Sequence, residues 1–139
     1  MARKKPKLEY AIICDDIRQE VGKKFTFVGI YGGRDLIVRE LPFIFPKLCF
    51  AVFYKDMKCG DSFSIELSEP SGKQLGQTIN GELPGESKGY INFMVFALFS
   101  PLKVEKNGKY KLLITINNDK KNRNEIEFSI KLTDETQQS

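Results

Sequence analysis

Apolar residues recur at every second position along much of this chain, and that spacing limits what it can fold into. Tyr110, Leu112, Ile114 and Ile116 form one such row. Ile126, Phe128, Ile130 and Leu132 form another, with Glu125, Glu127, Ser129 and Lys131 between them. Side chains two apart share one face of a strand, so each row predicts a strand with one buried and one wet face. Phe63, Ile65 and Leu67 alternate with Ser and Glu in the same way. Leu48 to Tyr54 is apolar at every position, which predicts a strand covered on both sides. Tyr90 to Phe99 is the most hydrophobic segment; exposed, it would invite aggregation, so a central place is expected for it.

Turn chemistry separates these segments. Leu8 to Cys14 reads as a first strand, interrupted by Asp15, Asp16, Arg18, Gln19 and Glu20. Val21-Gly22-Lys23-Lys24 reads as a turn into a second strand, Phe25 to Tyr31, in which Gly29 suggests a bulge or a close backbone approach. Leu36 to Val38 is a short edge strand, and Leu41 to Pro46 an apolar loop whose two prolines argue against a central strand. Glu69-Pro70-Ser71-Gly72-Lys73 suits a tight hairpin turn, with Gln74 to Ile79 returning from it. Asn80 to Gly89 reads as a loop, and Asn117 to Asn124 links the last two strands. Seven to nine short strands without an amphipathic helix predict a single-domain, all-β antiparallel β-sandwich, immunoglobulin-like or Greek-key, with a closed barrel as the alternative. The expected limits are a disordered basic arm over 1–7, one domain over 8–132 and a polar tail over 133–139.

Composition narrows the chemistry. The 139 residues include no His, which removes the commonest general base and transition-metal ligand, and with it Ser-His-Asp and Cys-His catalysis within one chain. Three Cys (14, 49 and 59) are too few and too scattered for a zinc site or a disulfide framework, and they suit a reducing compartment. Gly29-Ile30-Tyr31-Gly32-Gly33 has neither a phosphate-loop ending nor dinucleotide spacing. No apolar run approaches the about 20 residues that span a bilayer as a helix. The expectation is a soluble cytoplasmic protein that is not an enzyme and carries no cofactor and no catalytic residue.

Three functional readings follow. Phe43, Ile44 and Phe45 are the best candidates for a protein contact or self-association, since exposed aromatic clusters mark interfaces; the competing reading is a loop folded over an open end of the sandwich to complete the core. Arg3, Lys4, Lys5 and Lys7 precede the first acidic residue; without them, 18 basic residues face 18 acidic ones. With Lys120, Lys121 and Arg123 they could straddle a phosphate backbone, although Asp119 and Glu125 flank the second group. Asp15, Asp16 and Glu20 leave a Ca2+ site or carboxylate hydrolase formally open, against a structural role that ties a carboxylate to turn amides or to Arg18. No metal ligand set is assigned.

Cys14-Asp15-Asp16-Ile17-Arg18-Gln19-Glu20, followed by Lys24 and Gly29-Ile30-Tyr31-Gly32, resembles a family of small uncharacterised bacterial proteins grouped as a domain of unknown function. Leu41-Pro42 and the turn at Glu69 to Lys73 fit the same pattern, and the resemblance is strongest over residues 10–75. It implies a β-sandwich-like fold and a bacterial or phage source. It marks Asp15, Asp16, Arg18 and Glu20 as a motif cluster and brings no activity. The reading that results is a non-enzymatic binding or assembly module.

Overall fold

The alternating rows form strands in a computed structural model that describes residues 3–133. In chain order these are β1 (Lys7–Glu20), β2 (Lys24–Ile30), β3 (Asp35–Val38), β4 (Phe43–Phe45), β5 (Leu48–Met57), β6 (Ser62–Ser68), β7 (Gln74–Glu82), β8 (Ile91–Phe99), β9 (Leu102–Val104), β10 (Gly108–Ile116) and β11 (Arg123–Leu132). A four-stranded sheet in the order β2-β1-β5-β8 packs against a five-stranded sheet in the order β3-β11-β10-β6-β7, and neither closes into a barrel. This is the expected sandwich, with a parallel exception: β3 runs parallel to β11, Ser129 opposite Asp35 through Leu132 opposite Val38. The count of eleven exceeds the expectation because β4 and β9 have three residues each, too few for alternation to show.

The buried rows meet between the sheets. Leu48, Phe50, Val52 and Tyr54 of β5 face Tyr110, Leu112 and Ile114 of β10 and Ile126, Phe128 and Ile130 of β11 in one cluster. Phe50 and Phe128 have ring centroids 5.5 Å apart, which ties the layers together at the centre. Burying such a side chain stabilises the fold by about 1.5–3 kcal/mol relative to leaving it exposed.

Two expectations are corrected. β8 is the edge strand of its sheet, not a central one: β5 is its only strand partner among the described residues. Val95, Ala97 and Phe99 are buried while Leu98 is 45% exposed, so this edge carries an apolar row on its outer face. The first strand also continues beyond Cys14. Lys7 to Cys14 pairs with β5, whereas Cys14 to Glu20 pairs with β2. The charges at 15–20 mark a change of partner, and alternation within a two-stranded hairpin tolerates them.

That hairpin doubles back over the outer face of the four-stranded sheet. Phe25 of β2 lies 4.8 Å from Phe96 of β8 by ring centroids, although β1 and β5 separate the two strands in the sheet. Phe27 sits 6.4 Å from Phe53 and 6.5 Å from Phe96. Phe25 and Phe27 therefore turn toward the sheet, although Phe25 stays as exposed as Val28 and only Phe27 is half-buried.

Candidate functional site

The hairpin and the sheet beneath it enclose an aromatic groove of about 1010 Å³, lined by Tyr10, Phe25, Phe53, Phe93, Met94 and Phe96, with Glu9 and Lys23 at its rim. Tyr10 and Phe53 stack at 4.1 Å across the β1–β5 pair. Tyr10, Phe53 and Phe96 occupy outward positions because their neighbours Ala11, Val52 and Val95 point into the core. The groove borders the free edge of β8. Sequence reasoning missed it, although Phe25 and Phe27 flanking Thr26 are a half-buried strand pattern that needs something to cover them.

The motif residues build the bend that aims the hairpin. Gly29 has φ +68°, and a Cβ there would come within 2.3 Å of the Asp15 carboxylate, so only glycine fits. The Tyr31 hydroxyl donates to Asp15 Oδ1 at 2.8 Å. Burial and this bond to an anion push the Tyr31 phenol well above its usual range. Asp16 faces different partners: Lys47 Nζ at 3.0 Å, Arg18 Nε at 3.5 Å and the Ile17 amide at 2.9 Å. The Lys47 bond is the main reason its carboxyl lies below the ordinary range. Asp15 and Asp16 thus serve separate braces, and Glu20 ends β1 opposite Lys24. Among the described residues, no group of three or more His, Cys, Asp or Glu side chains is placed to hold a metal ion.

Cys14 and Cys49 face each other across β1 and β5 beneath the bend, both fully buried and both free thiols. Burial raises both, Cys49 to about 11, so neither is a ready nucleophile at neutral pH.

The Phe43–Phe45 segment departs from the expectation of a contact loop. It is β4, paired with β9 from Phe43 opposite Val104 to Phe45 opposite Leu102. Phe45 is 5% exposed within the core cluster, Phe43 packs edge-on against it at 4.8 Å, and only Ile44 points outward, 57% exposed. Phe45 thus belongs to the core and Phe43 packs against it, which leaves Ile44 as the exposed member of the three.

The basic residues fall into a more organised pattern than a free arm. Arg3 binds Asp61 through both guanidinium nitrogens at 2.7 and 3.0 Å and donates to the Asp56 carbonyl at 3.0 Å. The Lys4 amide donates to the Tyr90 hydroxyl at 2.7 Å, Pro6 is buried, and Lys7 already belongs to β1. Asp61 also accepts from the Lys58 amide and from Asn117 Nδ2. Burial works to raise the Asp61 carboxyl, and these bonds together outweigh it and hold it below the usual carboxylate range. Asn117 opens the turn that carries Lys120 and Lys121, so the arm and the second basic group meet at one end of the sandwich. Lys5 is exposed, and Arg123 Nε donates to Thr115 Oγ1 at 3.1 Å.

No helix among the described residues is long and apolar enough to cross a membrane. No curated protein matches the chain. A family model does, over residues 9–137, and the chain belongs to that family of unknown function, DUF6941.

Proposed function

We propose that this chain is a non-enzymatic assembly module that pairs with a second copy of itself through β8 and the adjoining aromatic groove. The observation that carries the reading is the unprotected edge: Ile91–Phe99 has no Lys, Pro or bulge to discourage strand addition, and β5 is its only strand partner among the described residues. A two-fold antiparallel pair centred on Val95 would set Met94 opposite Phe96 of the second copy and Asn92 opposite its Leu98. No like charges meet in that register, and the two grooves join along one outer face. Three free cysteines favour a reducing compartment such as the cytoplasm, and a bacterial or phage origin accords with the motif at Cys14 to Glu20.

Sedimentation velocity tests this directly. The wild type should run as a two-chain species. Leu98→Lys, on the exposed side of the edge, should run as a single chain with an unchanged melting temperature, and Ile44→Ser should leave the two-chain species intact. A wild type that stays a single chain at its highest soluble concentration would sink the reading, as would dissociation by Ile44→Ser alone.

A further inference from the structure

One end of the sandwich gathers cations around the ring of Tyr90. The Arg3 guanidinium lies 5.9 Å from the Tyr90 ring centroid, Lys4 Nζ 5.8 Å and Lys58 Nζ 4.8 Å. Asp61 neutralises Arg3, and through Asn117 it ties this group to the turn bearing Lys120 and Lys121. Elsewhere some lysines are answered, Lys47 by Asp16, Lys106 by Glu69, Lys111 by Glu125 and Glu127 and Lys131 by Asp35, while others such as Lys73 and Lys109 stand singly; what marks this end is that three cations share one ring. Among the described residues, Lys4, Lys58, Lys120, Lys121 and Arg123 make no ion pair. Three cations gathered on one ring repel one another, and the ring's quadrupole offsets only part of that. An anion would complete the arrangement.

We propose that this end binds the phosphodiester backbone of single-stranded nucleic acid, with Lys4 and Lys58 holding one stretch of phosphates and Lys120 and Lys121 the next. Several separated cations on two segments suit a chain of regularly spaced charges better than one compact anion. The end is built from loops and strand termini. Binding of this kind follows the backbone and carries little sequence preference. Arg3 does not supply a phosphate contact; clamped on Asp61, it fixes the arm so that Lys4 is presented. The site adjoins the start of β8, since Tyr90 precedes Ile91, but it uses no residue of that strand.

Fluorescence anisotropy with a labelled single-stranded oligonucleotide tests it, run across a salt series with the full chain. Four phosphate contacts give a slope of log K against log salt near about −3. The double variants Lys4→Ala/Lys58→Ala and Lys120→Ala/Lys121→Ala should each weaken binding and reduce that slope by about 1.4. All four side chains lie at or near the surface, and unchanged melting curves would show that the fold is kept. Leu98→Lys should bind as the wild type does, whether or not the chain pairs with itself. Competition by poly-glutamate as strong as by unlabelled oligonucleotide would overturn the proposal in favour of an acidic protein partner. Equal competition by inorganic polyphosphate, with the oligonucleotide itself binding only weakly, would reassign the phosphates to a free polyanion and overturn it too. Salt-independent binding, no binding at low salt, or loss in one double variant alone would also defeat it.

Discussion

At the scale of single residues, the bend of the first hairpin rests on one contact: the Asp15 carboxylate fills the space that any Gly29 side chain would need. Gly29→Ala should therefore cost about 1–3 kcal/mol, from a strained positive φ and a displaced carboxylate, read as a lower urea midpoint. Asp61 offers a second test. Its carboxyl is held below the ordinary range, so its contribution is present in full above about pH 4, the unfolded value, and is lost as pH falls below that through the depressed native value. Asp61→Asn should remove about 1–3 kcal/mol at neutral pH and flatten this acid limb, measured by urea unfolding from pH 3 to 7. Sequence alone pointed to Gly29 as a close approach and to Asp15 and Asp16 as structural. It could not show that Arg3 is clamped, because Asp61 lies far away in the chain and nothing in local spacing pairs them.

At the scale of elements, alternation marked β6, β10 and β11 because each has one buried and one wet face. It failed for β8, where apolar residues on both faces were read as a central strand. In fact one face meets the core and the other the aromatic groove, leaving an edge where a middle position was expected. It also failed at Cys14, since a strand that changes partner halfway has two different environments and no single period. The Phe43–Phe45 segment separates the two readings offered for it. Phe45→Ala should cost about 3–5 kcal/mol, the loss expected for an emptied aromatic core site, whereas Ile44→Ser should fall within about 0.5 kcal/mol of wild type. Denaturant melts of the two variants side by side would decide it; equal small losses would mean that Phe45 does not close the core.

At the scale of the whole molecule, five of the eight strand pairings among the described residues join distant segments: β1 with β5, β5 with β8, β6 with β10, β3 with β11 and β4 with β9. Such topology folds slowly, so refolding should take roughly milliseconds to seconds rather than microseconds. Stopped-flow tyrosine emission can follow it, because the chain has no Trp and its Tyr54 and Tyr110 are fully buried in the native state. The sandwich itself was legible from periodicity, while the groove arises from an arm folded across a sheet, an arrangement that no one-dimensional pattern encodes. The arm is attached to the body along one line, near Cys14, where the Asp16–Lys47 ion pair also ties it, and farther out it meets the sheet through aromatic rings. That makes it a caliper. Its tip stands about 20 Å from the pivot, so a tilt of about 10° moves the jaw by about 3.5 Å, one aromatic ring's thickness. The width of the opening is thus set by an angle at Gly29 and Asp15, and the body of the protein need not repack for the gauge to change.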